Sequence, residues 1–246
     1  RRLPAAATFT AERAAYRTLL VSAHEWFALG AEPGFDLADC ANNEYNEWIG
    51  AQIRADLYGW VCPGRPALAA DLARRDAALS HCGDGVYGAA FVAAIGAAIP
   101  GASSLETAIE VALRQIPGDS AAAEAVRLAG SQAGNVDGAR IIRERYADLS
   151  PVHTVNNLAL VVWALLSYRD DFGAAIGEVV AAGLDTDCNG ATVGGLWGLQ
   201  GKPIPAQWIT PWRGRVAVSL AGLDELRLDD LVNRTHAVAE RIARES

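Results

Sequence analysis

Apolar residues recur with a helical period along nearly the whole chain, and short stretches rich in Gly, Pro, Asp and Asn separate the periodic runs. The amphipathic runs predict helices over residues 8–28, 67–80, 103–116, 120–130, 137–147 and 224–244. Runs with few polar residues predict buried helices over residues 89–99, 158–167 and 172–182. We expect a polar loop over residues 29–46, and no pair of strands with a hairpin turn stands out. The pattern therefore predicts the all-α class.

Composition narrows the class of protein further. The chain has 246 residues, of which 51% are hydrophobic, so it can bury the core of one large domain or of two small ones. Because nearly every segment is helical and no internal repeat is found, we expect residues 1–246 to form a single compact helical domain. The net charge of −8 and the lack of a long basic run argue against nucleic acid as a partner. No apolar run approaches the ~18 residues that span a bilayer, so we expect no membrane partner.

The cysteines and the start of the chain bear on the cellular compartment. The cysteines are Cys40, Cys62, Cys82 and Cys188, and none belongs to a Cys-x-x-Cys pair. This spacing argues against a zinc site and favours reduced thiols in a cytoplasmic protein. The chain starts without Met, and its first residues lack the apolar core of a signal peptide. We expect it to be a fragment, a processed product or a chain without its first segment.

Two acids, Asp185 and Asp187, lie two positions apart in a short loop between an apolar helix and a helix of small residues. Their oxygens can point at one spot near the start of the second helix. Oxygen-rich loops of this kind suit hard cations such as Mg²⁺. The alternative is a solvated turn in which Asp187 or Asn189 caps the helix.

The helix after this loop has three glycines on one face, Gly190, Gly194 and Gly198. Each of them costs the helix roughly 1 kcal/mol of stability relative to Ala. Their spacing therefore predicts that another helix or a ligand comes close to this face.

A polar loop also runs into the segment Ile49-Gly50-Ala51, which opens a short helix containing Arg54 and Asp56. Backbone N–H groups at a helix start bind phosphate well, so this segment is a candidate anion site. The alternative is an ordinary capped helix in which Arg54 pairs with an internal acid such as Asp56. We favour a structural role for Arg54 over a contact with a ligand.

Two further polar breaks contain histidine. Ser80-His81 precedes the buried helix over residues 89–99, and Tyr87 lies between two glycines in the same break. His81 can be a satisfied structural side chain or a ligand contact, and Tyr87 can stack or hydrogen-bond at the same rim.

The second break, ahead of the helix over residues 158–167, contains His153, Thr154, Asn156 and Asn157. Thr154 and Asn156 can cap this helix, or the polar side chains can support the acids of the metal loop. We favour capping for Asn156 and leave the role of His153 open.

Taken as a whole, the stretch from Gly183 to Gly198, followed by Gly201-Lys202-Pro203-Ile204-Pro205 and Trp208, closely resembles the C-terminal metal motif of the ADP-ribosylglycohydrolase family. The resemblance covers roughly residues 9–245. That family is all-helical and cleaves the bond between ribose and a modified side chain or other acceptor, using two Mg²⁺ ions. The resemblance thus implies Mg²⁺ as the cofactor, and an ADP-ribosylated protein or a small ribosyl conjugate as the partner.

By position, the resemblance makes Asp185 and Asp187 metal ligands and places Cys188 where the family has Thr or Ser as a further ligand. A neutral thiol is a poor ligand for Mg²⁺, so this contact is lost or replaced by water.

The resemblance also implies a site for the organic part of the substrate. Ile49-Gly50-Ala51 resembles the loop that holds the diphosphate of the ligand, although the usual Asn-Gly pair is missing. Ser80-His81 resembles a Thr-His at the edge of the family's cleft, which implies that His81 touches the ligand, with Tyr87 at the same rim. The catalytic acid or base is not assigned.

The chain departs from the family pattern in one respect. The family also uses a Thr/Ser-Asp-Asp cluster near its N-terminus, and no such triplet occurs here. We therefore expect residues 1–246 alone to hydrolyse very slowly, unless acids such as Asp56 or Asp84 complete the metal shell. Three hypotheses follow: an active Mg²⁺-dependent hydrolase of an N- or O-ribosyl bond, an inactive member used for binding or structure, and a fragment that needs a missing N-terminal segment.

Overall fold

The computed structural model describes residues 11–12, 14–16, 18, 37–218 and 222–245. Apart from one pair of short strands, the regular structure in these ranges is helical, which confirms the predicted all-α class. The α-helices, numbered in chain order, are α1 (Asp56–Val61), α2 (Pro66–Ala77), α3 (Gly83–Ala98), α4 (Leu105–Leu113), α5 (Ala121–Ser131), α6 (Gly138–Arg145), α7 (Thr154–Ser167), α8 (Phe172–Ala181), α9 (Thr186–Gly198), α10 (Ala206–Ile209) and α11 (Leu228–Arg244). The strands are β1 (Arg215–Ala217) and β2 (Glu225–Arg227), and 3-10 helices lie at Leu37–Ala41, Gln52–Arg54, Ile99–Gly101 and Thr210–Trp212.

Two apolar helices, α3 and α7, form the centre of the molecule. Residues 88–99 are all buried, and so is α7 from Thr154 to Leu166. Helix α3 packs against α1, α2, α4 and α7, whereas α7 also packs against α5, α6, α8 and α9. Burying one large aliphatic or Phe side chain contributes about 1.5–3 kcal/mol, so helices without a polar face are stable where neighbours surround them.

The segment Gly83–Gly101 is long and apolar enough to cross a bilayer, with 19 residues and a mean hydropathy of 1.3. The prediction that no apolar run approaches that length is therefore wrong for this segment. In the folded chain, 72% of the apolar window is buried inside the protein. Because the core helix of a globular fold meets the same criterion, this segment is weak evidence for a membrane span.

Small residues let α1 lie directly on α3. A Cβ atom at Gly59 of α1 would lie 2.8 Å from the carbonyl oxygen of Ala93 and 3.0 Å from the Cα of Gly96, so a larger residue does not fit. The 3-10 helix Gln52–Arg54, which leads into α1, also packs against α3. These contacts hold the start of α1 close to the core.

Helix α3 begins at Gly83, six residues before the predicted start. The carboxylate of Glu47 accepts a hydrogen bond from the N–H of Asp84 at 3.1 Å, which satisfies a free donor of the first turn. The glycines that indicated a break are therefore helical, and Tyr87 lies within α3 rather than in a loop.

Helix α7 begins at Thr154, four residues before the predicted start. Its cap is His153, whose ring Nδ1 accepts a hydrogen bond from the N–H of Val155 at 3.2 Å. The hydroxyl of Thr154 donates to the carbonyl of Trp48 at 3.1 Å. The prediction that Thr154 and Asn156 cap this helix is therefore wrong.

The C-terminal part contains a hairpin that the pattern did not indicate. Strands β1 and β2 pair antiparallel, with Val216 opposite Leu226. Each strand has three residues, which is too short for alternation to be recognised. Helix α11 begins at Leu228, directly after β2, and packs against α1.

The predicted helix over residues 8–28 lies mostly outside the described residues, and those of its residues that are described are helical. The predicted loop over residues 29–46 is described from residue 37 onward. Within that part, Leu37–Ala41 form a 3-10 helix, so the loop prediction is wrong for these five residues.

Candidate functional site

The segment 42–49 joins the N-terminal ends of the two central helices. The N–H of Cys82, just before α3, donates to the carbonyl of Asn46 at 3.1 Å, and the N–H of Thr154 donates to Glu47 O at 3.0 Å. The N–H of Ile49 donates to the carbonyl of Val152 at 2.9 Å. Since these are backbone bonds, the polar ends of α3 and α7 are held side by side.

The acidic loop enters α9 through two residues in the left-handed region, Gly183 (φ 83°) and Leu184 (φ 64°). A non-glycine residue there costs roughly 1–2 kcal/mol, so the turn needs support from its surroundings. Asp185 takes the N-cap position of α9, and its side chain makes no cap hydrogen bond. The alternative that Asp187 or Asn189 caps this helix is therefore wrong, and the Asp185 carboxyl interacts with Asp187 and Cys188.

The side chains of Asp185, Asp187 and Cys188 converge. One ligand atom from each lies within 4.8 Å of the others, with Asp187 exposed and the other two half-buried. Burial raises the pKa of Asp185, and its hydrogen bond with Asp187 adds to the effect. The same hydrogen bond lowers the pKa of Asp187. Two carboxyls that close make the charging of one disfavour the charging of the other when no cation separates them.

Cys188 is a neutral member of this group. Like the other three cysteines it is a free thiol. Burial, followed by the neighbouring Asp185, raises the pKa of its thiol to about 12. A thiol that keeps its proton at neutral pH is a poor ligand for a hard cation.

The donor set fits one Mg²⁺ ion. Two carboxylates at the start of a helix supply the hard oxygen ligands that Mg²⁺ prefers, and water completes its shell in most protein sites. Across residues 37–218 and 222–245, no other group of three or more His, Cys, Asp or Glu side chains converges in this way. Asp56 and Asp84 do not join the group, so the expectation that either completes the metal shell is not met by this geometry.

Asn157 of α7 fixes the position of the acidic loop. Its buried side-chain Oδ1 accepts hydrogen bonds from the N–H of Asp185 at 3.1 Å and from Nδ2 of Asn189 at 2.7 Å. Its own Nδ2 donates to the carbonyls of Pro151 and His153 at 2.9 and 2.8 Å. The amide therefore ties the start of α9 to the start of α7, which is the supporting role considered for this break.

The side chain of Asn156 holds Asn157 in place and does not cap α7. Its Oδ1 accepts a hydrogen bond from the N–H of Asn157 at 2.9 Å, and its Nδ2 donates to the carbonyl of Ser150 at 2.9 Å. Both amides are buried, so their orientation is determined by these bonds.

The glycine face of α9 meets another helix. A Cβ atom at Gly190 would lie 3.3 Å from Val180, and one at Gly194 would lie 3.6 Å from Ile176, both in α8. The prediction of a close neighbour is confirmed, and that neighbour is a helix. At Gly198 a Cβ atom would meet open space.

Arg54 belongs to a second cluster. Its Nε lies 2.6 Å from Oδ2 of Asp76, and its Nη1 lies 2.5 Å from Oε1 of Glu12 and 3.0 Å from the carbonyl of Gly50. The prediction that Arg54 pairs with Asp56 is wrong. Arg54 has the favoured structural role, with partners from two other elements.

Asp56 is instead directed toward α9. Its Oδ1 is buried without a hydrogen-bond partner among the described residues, and a Cβ atom at Gly195 would lie 3.4 Å from it. Burial raises the pKa of Asp56 to about 7. The acid is therefore partly neutral at physiological pH.

His81 lies beside the Arg54 cluster and is 1% exposed. Its Nδ1 is 2.8 Å from the hydroxyl of Ser80, and its Nε2 is 3.8 Å from Oε1 of Glu12. Burial lowers the pKa of His81 to about 4, against the opposing effect of Glu12. The ring is therefore neutral at physiological pH, and the geometry favours its structural interpretation.

The predicted diphosphate loop also borders Glu12. Ile49 and Ala51 are buried, and the Glu12 carboxylate lies against Gly50. Because the N–H of Ile49 is bound to Val152, the N–H groups of Gly50 and Ala51 are the donors that this loop can offer. Tyr87, half-buried on α3, packs against the core.

Neither Gln52 nor Glu12 was predicted from the sequence to have a special role. Gln52 is fully buried, and neither atom of its amide has a hydrogen-bond partner among the described residues. It lies beside Gly88 of α3, where a Cβ atom would come within 2.9 Å of its Oε1. No local pattern indicates either residue, because each acquires its surroundings from helices remote in sequence.

Comparison with known proteins indicates the family of this chain. A model of the ADP-ribosylglycohydrolase family matches residues 4–243, nearly the whole chain. No curated protein and no solved structure matches the chain significantly. The matched range includes the acidic loop, Asn157 and the Arg54 cluster.

Proposed function

This chain belongs to the ADP-ribosylglycohydrolase family, and we propose that it is a Mg²⁺-dependent hydrolase of the glycosidic bond in an ADP-ribosyl or related ribosyl conjugate. At the level of the family it is a glycosidase-type hydrolase. The observation that supports Mg²⁺ is the convergence of Asp185 and Asp187 at the start of α9. Two adjacent carboxyls without a counter-charge form a site that gains free energy when a cation binds.

Asp185 and Asp187 would hold the ion. When bound, Mg²⁺ supplies positive charge that orients ribose hydroxyls and activates water. Asn157 keeps the loop in place, since its Oδ1 holds the N–H of Asp185. The carboxylates also place negative charge where positive charge develops on a sugar as its leaving group departs.

The proposed substrate is an ADP-ribosylated protein or a small ribosyl conjugate, encountered in the cytoplasm. Family membership supports the ribosyl part. The N–H groups of Gly50 and Ala51 would meet the diphosphate, and His81 and Tyr87 would border the same region. The Glu12 carboxylate beside Gly50 must then stay neutralised by Arg54.

The test measures release of ADP-ribose from modified protein and from small ribosyl conjugates, with Mg²⁺ and with chelator. We expect chelator-sensitive release, and calorimetry should show that Asp185→Ala abolishes Mg²⁺ binding. Asp148→Ala, which removes an exposed acid elsewhere, should bind Mg²⁺ like the parent chain. Unchanged binding in Asp185→Ala, in a parent chain that binds Mg²⁺, would contradict the proposal.

A second candidate function is binding without turnover. It is favoured because the described residues contain one converging group of possible metal ligands, with two acids, and because the thiol of Cys188 is neutral. Two-metal hydrolysis needs more oxygen ligands than this pair supplies. Tight binding of ADP-ribose together with no release from any conjugate would identify this function.

A further inference from the structure

A cavity of about 420 Å³ opens beside the acidic loop, on the side of α6. Leu184, the residue before Asp185, forms part of its wall, and so does Asn156 at the start of α7. Leu184 is also the non-glycine residue held at a positive φ of 64°. The cavity therefore borders the turn and the amide pair that position the candidate metal ligand.

One cation on the cavity wall has no carboxylate partner in the described ranges. Arg140 is occupied, since its Nη1 lies 2.8 Å from Glu144 and its Nε lies 3.2 Å from Asp137. Arg145, on the other side of α6, is paired with Glu124 at 2.7 Å. Arg143 lines the same cavity, is exposed, and makes no ion pair within residues 37–218 and 222–245. Its charge is available to a ligand, in a chain whose net charge is −8.

Tyr146, which lines the same cavity, has a buried hydroxyl that also lacks a hydrogen-bond partner among the described residues. The residue as a whole is 9% exposed. A buried hydroxyl without a hydrogen-bond partner destabilises the folded state. This favours a bound ligand or water molecule that supplies the missing partner. Buried polar groups without a hydrogen-bond partner are few in native proteins, and each one calls for an explanation such as a bound ligand or water.

Glu144 also lines the cavity and is paired with Arg140, and the apolar part of the wall includes Leu149, Pro151 and Leu184. We propose that this cavity is a subsite for an anionic part of the substrate, one carboxylate or phosphate on an apolar body, held by the Arg143 guanidinium. The inference rests on the proposed function and specifies the substrate class further. A concave apolar wall with a few polar groups is the usual form of a small-molecule site.

Binding at this subsite would reach the acidic loop through two amides. Asn156 borders the cavity, its Oδ1 holds the N–H of Asn157, and Asn157 Oδ1 holds the N–H of Asp185. A ligand that contacts Asn156 and Leu184 therefore touches both supports of Asp185. Occupancy should stabilise the arrangement that places the carboxylate for Mg²⁺.

The first experiment titrates the whole chain calorimetrically with phenyl phosphate, benzoate and phenol. We expect the two anions to bind at least about tenfold more tightly than phenol, and Arg143→Gln to remove about tenfold of that affinity. Arg114→Gln, a matched change at another exposed arginine, should leave the affinity unchanged. Equal binding of phenol, or full affinity in Arg143→Gln, would overturn the proposal.

The second experiment identifies the source of the negative charge. If it is the diphosphate, Arg143→Gln weakens binding of free ADP-ribose; if it is the acceptor, only conjugates with an acidic acceptor are affected. Equal affinities of the parent chain and Arg143→Gln for all these ligands would reject the subsite. Failure of the proposed function is a different result, namely no turnover of any conjugate while the small anions still bind.

Discussion

The molecule contains two clusters of paired acids, and they differ in what lies between the carboxylates. In the first, the guanidinium of Arg54 lies between Glu12 and Asp76 at 2.5 and 2.6 Å, so both carboxylates contact the same positive charge. In the second, the described residues around Asp185 and Asp187 supply no cation, and the neighbouring thiol is neutral. The first cluster contains a cation supplied by the protein, whereas the described residues supply none to the second.

The difference shows how to recognise a binding site among charged clusters. Two neighbouring carboxylates are stabilised by a fixed guanidinium or by a bound cation, and only the pair without a guanidinium leaves room for a metal ion. Burial raises the pKa of Asp185, and the hydrogen bond and charge of the neighbouring Asp187 raise it further. We therefore expect the Arg54 cluster to stabilise the fold, and the Asp185 cluster is the one proposed to bind a metal ion.

Removing Arg54, the cation that Glu12 and Asp76 share, should have the largest effect on stability. We expect Arg54→Ala to lower the free energy of unfolding by about 2–3 kcal/mol, because Glu12 and Asp76 are then left together without compensation. The figure lies below that for a fully buried pair, since the three side chains are 28–39% exposed. Urea unfolding measures it. Arg75→Ala, which breaks a surface pair with Asp71, should cost less than about 0.5 kcal/mol, and an equal cost would remove the contrast.

The Arg54 cluster should also be sensitive to acid through His81. Its folded pKa of about 4 lies below the ordinary value of 6.5. Between these values the unfolded chain takes up a proton that the folded chain refuses, so stability is full above pH 6.5 and falls as pH drops toward 4. The loss amounts to at most about 3 kcal/mol.

His81→Gln should flatten this part of the stability curve relative to the parent chain, as measured by denaturation at several pH values. His236→Gln, at an exposed histidine, is the control and should leave the curve unchanged. An identical pH dependence in His81→Gln and the parent chain would assign the acid sensitivity to other groups.

Removing a charge from the second cluster should raise the free energy of unfolding, whereas removing Arg54 should lower it. Without metal, Asp185→Asn should raise the free energy of unfolding by about 0.5–1 kcal/mol, because it removes a partly buried charge beside Asp187. With Mg²⁺, the parent chain should gain stability and the variant should not. Thermal unfolding with Mg²⁺ and with chelator compares the two, and a destabilised variant in chelator would show that the pair is already satisfied.

The smallest expected change is in the affinity for Mg²⁺ when the thiol of Cys188 is replaced. Cys188→Thr should hold or raise the affinity for Mg²⁺ by a few-fold, since a hydroxyl is a harder donor than a neutral thiol. Calorimetry on the folded variant measures this, with Cys82→Thr as a control at an exposed cysteine. A large loss of affinity in Cys188→Thr would give the thiol a direct role.

The sequence by itself determined the helical class and the position of the acidic loop. Apolar periodicity depends on neighbours three and four residues apart, so α4, α5 and α8 begin within two residues of their predicted starts. The two acids are equally local, because both lie on the same turn. Caps were harder to predict, since Glu47 caps α3 from a position 37 residues away.

Only the tertiary structure decided which polar residues act together. Arg54 finds partners 22 and 42 positions away, and Asn157 holds Asp185 across 28 positions. Sequence reasoning proposed the nearby Asp56 for Arg54, yet the packing of α1 on α3 and α9 turns that acid elsewhere. Burial by other elements sets the pKa values, and contacts across helices choose hydrogen-bond partners, so neither can be derived from local sequence.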